Sequence, residues 1–293
     1  ATLLGLCVLM ADMTWEEAVA WLRRQPDQQT LVRDCYYDDP LLDAAQRFAG
    51  SGEWQAVRTW LPDHLGRALD LGAGRGISSY ALAFDGWQVT ALEPDSSPVV
   101  GAGAIRSLAN EAGLAITVEE QWGERLPFPD ESFDLVHGRQ VLHHAKNLNE
   151  FCREVGRVIR RGGTFIATRE HVISRPEDLS NFLELHPLHR LYGGENAYLL
   201  RQYISAIVGG GLSPLAVLGP YDSPINYFPM TDDQWRRECL HPLSRLVGFR
   251  VARLLVNEHT AVGRRLLRTL AAWRSRSCDT PGRLYSFVAV KPR

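Results

Sequence analysis

The sequence lacks an apolar run long enough to cross a membrane. The stretch Leu3 to Met10 is apolar but short, has no basic residue ahead of it and shows no clear cleavage site, so neither a spanning helix nor an export signal is expected there. Close cysteine pairs are also absent. Cys7, Cys35, Cys152, Cys239 and Cys278 are scattered over 293 residues, which excludes a disulfide framework and a thiolate zinc site and points to a reducing cytoplasm. Net charge is only −2, so no global field draws the chain to nucleic acid or anionic lipid. The balance is local: Arg236 to Arg283 holds eleven arginines against three acids, a charge of +8 that leaves −10 elsewhere. No internal repeat is present, and no linker marks a second domain.

What is present is a strand–helix alternation. Thr14 and Glu17 have capping-box spacing, which makes residues 14–24 an amphipathic helix and suggests that the structured part begins near Met13. Residues 1–12 are then a docking segment, a remnant or a stretch before the true start. Residues 41–61 read as helical with a break near Gly50-Ser51-Gly52. Strands follow at 68–71, 88–92, 116–118, 133–137 and 164–168, with helices over 78–84, 101–112 (closed by Gly113) and 148–159 (closed by Gly162-Gly163). This order implies an α/β fold with a doubly wound, parallel sheet and right-handed crossovers. Further on, 176–195 reads as a connection, 196–208 as a helix stopped by Gly209-Gly210-Gly211, 215–218 as a strand and 284–290 as a closing strand. Within 219–282, Leu243, Leu246, Val247, Val251, Leu254 and Leu255 fall at helical spacing, as one buried face would. The division expected is a helical segment over 1–62, a core over 63–174 and a remainder over 175–293 that completes the sheet and supplies acceptor-side lids.

In such sheets ligands sit beyond the carboxyl ends of the strands. The loops there contain Asp70 to Gly76, Glu93, the 120s, Arg139 to His144 and Arg169 to His171. Gly72, Gly74 and Gly76 let the chain turn sharply and a ligand approach the backbone. A glycine turn alone does not discriminate, since nicotinamide and flavin enzymes use one too. The third glycine nevertheless comes one residue early for their G-x-G-x-x-G spacing, and Asp70 stands two positions before the first.

Residues 67–171 resemble a class I S-adenosylmethionine-dependent methyltransferase of the small-molecule type. Asp70-Leu71-Gly72-Ala73-Gly74-Arg75-Gly76 is similar to that family's first motif. Glu93-Pro94, the run Leu126 to Val136, Val141-Leu142-His143-His144 and Arg157 to Gly163 are similar to its later landmarks. The resemblance implies a seven-stranded, mostly parallel, Rossmann-like sheet with helical additions at both ends. It implies S-adenosylmethionine as cofactor and S-adenosylhomocysteine as product. It places Asp70, Gly72, Ala73, Gly74, Glu93, Pro94 and Arg139 around the cofactor, with Glu93 on both ribose hydroxyls and Asp70 near the methionyl amino group. Where the family carries an acid for the adenine amino group this chain has Trp122, so ring contact from Trp122 with Gly123 and Glu124 is expected to serve the adenine end. Arg161 stands where the family has proline. The cofactor carries no phosphate, in keeping with the lack of a lysine-tipped phosphate loop.

For catalysis, His143, His144, Arg139 and His171 are the candidates. A neutral-range imidazole suits a general base, although a histidine there also serves to pack or to cap. Arg169-Glu170-His171, Arg139 and Gln140 offer groups to an anionic acceptor, or simply pair as ions. His186-Pro187-Leu188-His189 with Glu170 and His171 raises a metal question, but loop spacing gives it no support and no metal is expected. Tyr192-Gly193-Gly194-Glu195-Asn196 and Asn226-Tyr227 suit an acceptor lid, and Tyr36 and Tyr37 a closure from the N-terminal side.

The reading reached is methyl transfer to a small-molecule acceptor at oxygen, nitrogen or carbon, without membrane contact and compatible with a homodimer. Three other readings are open: RNA or another macromolecule methylated through the Arg236–Arg283 region, a non-catalytic cofactor-binding protein, and a nicotinamide oxidoreductase. Nucleic acid is disfavoured because no Asp/Asn-Pro-Pro-aromatic run and no Pro-Cys pair is present.

Overall fold

The capping box at the first helix forms as its spacing requires. In the computed structural model, which describes residues 13–293 apart from residue 186, residues 193–194 and residue 258, the Glu17 amide donates to Thr14 Oγ1 at 3.2 Å and the Thr14 amide to Glu17 Oε2 at 2.9 Å. The reading of residues 1–12 lies outside the described residues. Helix α1 (Trp15–Arg23) is followed by α2 (Gln29–Asp34), α3 (Leu41–Ala49) and α4 (Gly52–Arg58). The break at Gly50 to Gly52 is where α4 restarts, with Ser51 as its cap.

The alternation then runs β1 (Arg67–Leu71), α5 (Ile77–Phe84), β2 (Gln88–Leu92), α6 (Ala102–Ala112), β3 (Ile116–Glu119), β4 (Phe133–Arg139), α7 (Leu148–Val158) and β5 (Ile159–Ile173). Helices α8 (Asp178–Leu185) and α9 (Pro187–Tyr192), the two-residue β6 (Tyr198–Leu199) and α10 (Leu200–Gly209) lead to β7 (Ser213–Leu218). Helices α11 (Pro224–Tyr227), α12 (Asp232–Val247), α13 (Phe249–Leu255) and α14 (Ala261–Ser277) precede β8 (Arg283–Val290). Strand order is β3-β2-β1-β4-β5-β8-β7 with β6 appended to β5, so the expected seven-stranded sheet is present with one short extra strand. Pairs among β1 to β5 are parallel, and β8 is antiparallel to both β5 and β7.

Side-chain alternation builds two cores. Leu69, Leu71, Val136, Phe165, Ala167, Phe287 and Ala289 face α7 and α10. Ala68, Val89, Leu135, Ile166 and Val288 face the opposite layer, where Phe48, Trp54 and Tyr80 come from α3, α4 and α5. The N-terminal helices are thus part of one face of the sheet.

Several boundaries differ from the sequence reading. Helix α7 stops at Val158, and Gly162-Gly163 lie within β5 instead of closing the helix. Gly162 is left-handed at φ +79° and donates to Lys291 O, beginning the pairing with β8. Strand β5 continues to Ile173, so Arg169, Glu170 and His171 are strand residues, not a loop after it. A register shift between Ala167 and Glu170, with Arg169 left-handed at φ +59°, re-aims their side chains. The expected 176–195 connection is mostly helical. The helix expected from Asn196 begins only at Leu200, because Tyr198 and Leu199 extend the sheet.

The C-terminal apolar face divides. Leu243 joins a small core with Trp235, Cys239, Val256 and Ala271, whereas Leu246, Val247, Val251 and Leu254 are exposed, Leu246 at 81%. The cause is Gly248, left-handed at φ +80°, which ends α12 and changes the helical phase. Among the described residues no helix is long and apolar enough to cross a membrane.

One close approach is decisive for the α7–α10 layer. A Cβ on Gly156 would lie 1.8 Å from Gly210 O, a backbone atom that cannot rotate away. Gly156→Ala is therefore expected to destabilise the fold by about 3 kcal/mol, the upper end of overpacking costs, measured as a shift in urea-unfolding midpoint; an unchanged midpoint would contradict this packing.

Candidate functional site

The turn after β1 is left-handed at each of its glycines, with φ of +56° at Gly72, +54° at Gly74 and +84° at Gly76. A Cβ at Gly72 would strike Val141 Cγ2 at 2.3 Å, so this glycine lets the turn sit against the loop after β4. At Gly74 a Cβ would meet only Val100 O, at an ordinary contact distance of 3.9 Å. The end of β2 supplies Glu93. Its Oε2 accepts the Gly74 amide at 2.8 Å and its Oε1 the Asp95 amide at 3.0 Å, which aims a buried carboxylate along the glycine turn. Burial outweighs these two bonds and pushes its carboxyl up to about 7.

Asp70 stands on β1, two residues before the first glycine of the turn. It is buried, with Ser79 Oγ donating to Oδ2 at 2.6 Å and His137 Nδ1 donating to Oδ1 at 3.0 Å. Each oxygen accepts one bond inside the protein, which fixes the Asp70 carboxylate beneath the turn. Arg75 reaches back to Tyr36 O at 2.9 Å and Asp38 O at 3.1 Å, tying the turn to the N-terminal helices. Trp122, in the segment after β3, is 61% exposed with Lys146 Nζ 5.5 Å from its ring centre. Gly123 is required by packing, since a Cβ would sit 2.1 Å from Phe151 Cε2. Glu124 accepts the Lys146 amide at 2.9 Å.

Arg139, at the end of β4, is enclosed. Its Nε and Nη2 donate to Glu53 at 2.7 and 3.2 Å and its Nη1 to Gln140 Oε1 at 2.8 Å, with Tyr36 and Phe48 rings beside the guanidinium. Burial opposes the Arg139 charge, but Glu53 more than offsets it and holds its pKa above the ordinary arginine value. Burial likewise opposes ionised Glu53, and Arg139 then Arg169 hold it below the usual carboxylate range. Arg169 Nη1 donates to Ile225 O and Phe228 O, both at 3.0 Å. The ion pair was one of two readings of these arginines; for Arg139 it is the one present, formed with a glutamate from α4.

The loop after β4 and strand β5 bring the histidines together. Glu170 Oε1 accepts the Val141 amide at 3.1 Å. Its Oε2 accepts the His143 amide at 3.1 Å and His143 Nδ1 at 2.7 Å. The His143 ring lies 4.3 Å from His144 and 4.7 Å from His171. His171 Nδ1 donates to Gly282 O at 2.9 Å, and the His171 ring lies 5.7 Å from His189. Burial, then His189, lowers His143 to about 3; burial, then His143, takes His171 well below its ordinary value. Burial raises Glu170 to about 7, and burial with Glu170 nearby raises Glu195 to about 8. Burial, then Glu195, Asp95 and Glu93, raises the Tyr192 hydroxyl above its ordinary value. Trp15 of α1 packs edge-on against Tyr192 at 5.1 Å and Tyr37 at 6.0 Å.

With this geometry in place the chain can be compared with known proteins. Residues 69–167 match the family described as methyltransferase domain. The chain carries a class I S-adenosylmethionine-dependent methyltransferase domain. The uncharacterized methyltransferase YcgJ of Bacillus subtilis is 34% identical over 113 residues, 38% of this chain and 42% of that protein. A ubiquinone biosynthesis O-methyltransferase of Agrobacterium fabrum is 26% identical over 132 residues, 45% of this chain and 52% of that protein. The chain spans about half the length of these curated relatives. In fold, geranyl diphosphate methyltransferase in complex with GPP and sinefungin superposes with a TM-score of 0.58 at 14% identity, covering 94% of this chain and 98% of that one. At that identity the likeness is one of fold.

Gly74 and Glu93 are joined by a hydrogen bond, and the rings of His144 and His171 flank that of His143. Asn226, expected in a lid, is instead a buried anchor that donates to Leu218 O and Gly219 O at 2.9 Å each and accepts from Ser286 at 2.6 Å. Tyr36 is likewise core, stacked on Phe228. Of the metal question, His186 lies outside the described residues, and Glu170 and His189 do not share a ligand point. Three residues were not singled out from sequence: Glu53, His137 and Glu195 as a member of the histidine cluster. His137 had a signal, because a histidine inside the apolar run Phe133 to Val136 needs a polar partner across the sheet, and Asp70 is its register mate. Glu53 had none, being 86 residues from Arg139.

Removing one partner of a buried ion pair strands the other. Glu53→Gln is expected to destabilise the protein by about 3–5 kcal/mol in urea titrations at pH 7. Because Glu53 is held below its reference value of 4.5, its contribution is complete above that pH and is lost as the pH falls further. The wild-type to Glu53→Gln difference should therefore shrink in acid; a difference independent of pH would argue against the pairing.

Proposed function

We propose that this chain binds S-adenosylmethionine and transfers its methyl group to a small-molecule acceptor at oxygen, nitrogen or carbon, releasing S-adenosylhomocysteine. The observation that carries the reading is Glu93, buried at the end of β2 and held by the Gly74 and Asp95 amides beside an open glycine turn. One carboxylate so placed accepts two vicinal hydroxyls, which is what a ribose offers. When bound, S-adenosylmethionine supplies a sulfonium-activated methyl carbon for in-line displacement.

The residues then divide by task. Gly72, Ala73 and Gly74 give the cofactor backbone contact, Pro94 ends β2 behind Glu93, and Trp122, Gly123 and Glu124 border the adenine. Asp70 and Arg139 act as positioning residues, the first bracing the glycine turn and the second the end of β4. His143, His144 and His171 form the acceptor wall. The roof is the apolar cluster of Val19 and Leu22 from α1, Val32 from α2, Leu188 and Leu191 from α9, and Val100, whose carbonyl adjoins Gly74. A crevice roofed by helices suits a small acceptor and keeps water from the displacement.

Calorimetric titration with S-adenosylhomocysteine tests the reading. A single site is expected, and Gly74→Val, which forces a β-branched residue into a left-handed position, should remove it. Unchanged affinity in a folded Gly74→Val protein would overturn the proposal. The pH dependence follows from Glu93: accepting both hydroxyls requires the ionised form, so affinity should rise as pH increases through about 7 and weaken about tenfold per unit below it. Glu93→Gln should flatten that profile; a profile as steep as wild type would remove Glu93 from the site.

A further inference from the structure

Glu195 presents an unbalanced arrangement. Its side chain is 5% exposed, and its Oε2 is buried without a hydrogen-bond partner. That oxygen lies 3.5 Å from His143 Nε2, and Oε1 lies 3.7 Å from His144 Nε2. Since His143 Nδ1 donates to Glu170 at 2.7 Å, the neutral ring keeps a lone pair at Nε2. A lone pair on nitrogen therefore faces a lone pair on a carboxylate inside a buried wall, and such a pair needs a positive centre between its members.

We propose that His143, His144 and Glu195 form a binding site for one divalent transition-metal ion of the zinc class. One ligand atom from each residue lies within 4.8 Å of the others. Ligands about 2.0–2.2 Å from a tetrahedral ion sit about 3.4 Å apart, a spacing that His143 Nε2 and Glu195 Oε2 already meet at 3.5 Å, whereas the third donor, within 4.8 Å of the others, closes by up to about 1.4 Å when the ion binds. Two imidazoles and one carboxylate select zinc, cobalt or nickel over magnesium or calcium, which prefer all-oxygen shells. The surroundings match the second shell of such sites. Glu170 fixes the His143 tautomer through Nδ1 and is itself fixed by the Val141 and His143 amides. The His171 ring stands 4.7 Å from His143 and closes that side. Three protein ligands leave a fourth position for water or for an oxygen or nitrogen donor of the acceptor. The site does not depend on the methyl-transfer reading, because the ion can be observed directly.

The test is titration of the full chain with cobalt(II), followed by its visible d–d absorption, with competition by zinc(II) and calorimetric stoichiometry. One ion per chain is expected. Glu195→Gln, which keeps the side-chain shape, and His144→Ala, at a half-exposed position, should each weaken cobalt binding at least tenfold while circular dichroism shows a folded protein. Glu170→Gln should weaken it about 10–100-fold through the second shell. Absence of a d–d band would overturn the site and assign the positive centre to a proton on Glu195. Binding undiminished in both Glu195→Gln and His144→Ala would overturn it too, by placing the ion elsewhere.

Discussion

A buried arginine at the end of a central strand constrains much of what surrounds it. Arg139 is largely withdrawn from solvent, so an anion beside it offsets the cost of its charge, and that anion comes from the helical segment ahead of the sheet. Meeting that demand docks α4 against β4, carries Trp54 onto the ring of His137 at 5.8 Å, and places Tyr36 and Phe48 over the guanidinium. Tyr36, Gln140 and Arg169, three of the four non-glycine residues with left-handed backbone among those described, gather at this junction. Such conformations cost about 1–3 kcal/mol each and persist where the surrounding contacts over-determine them. Here the contacts are the Arg139–Glu53 pair and the carbonyls bound by Arg169.

A second constraint works from the other side of the same loop. Glu170 lies inside β5 because a register shift against β8 turns it toward the loop after β4. There it binds two successive parts of the Val141 to His143 turn, so the loop is held by β4 through Arg139 and by β5 through Glu170. Val141, between those anchors, also touches the glycine turn through the space that Gly72 and Gly138 leave empty. The glycine turn and the histidine-bearing loop are therefore mechanically joined at one valine. This arrangement gives a physical reason for the small residues at both positions.

The local features were legible because they depend on neighbours in the chain. The capping box of α1, the glycine turn, Gly113 closing α6, and the strands from β1 to β4 each follow from spacing and backbone preference. Glu93 was legible for the same reason, as an acid closing a strand that the alternation locates. Less local features were misread. The paired glycines after α7 suggested a cap but serve a strand edge. The histidine- and proline-bearing stretch before Tyr192 suggested a connector but folds as two helices, α9 packing on α1 and α8 on Ile173 and Leu199.

By itself the sequence determined the α/β alternation, the parallel sheet and the acid that closes β2 beside a glycine turn, since each is written in residues close enough to act on one another before the chain folds. The tertiary structure alone decided how charge is distributed around that turn. Asp70 became a brace once the sheet register set His137 opposite it. Arg139 became a structural cation once α4 brought Glu53 to it. Glu195 became part of the histidine wall once β6 and α9 carried it there. Burial is a property of the folded molecule, and the partner of a buried charge is whichever group the packing brings within reach.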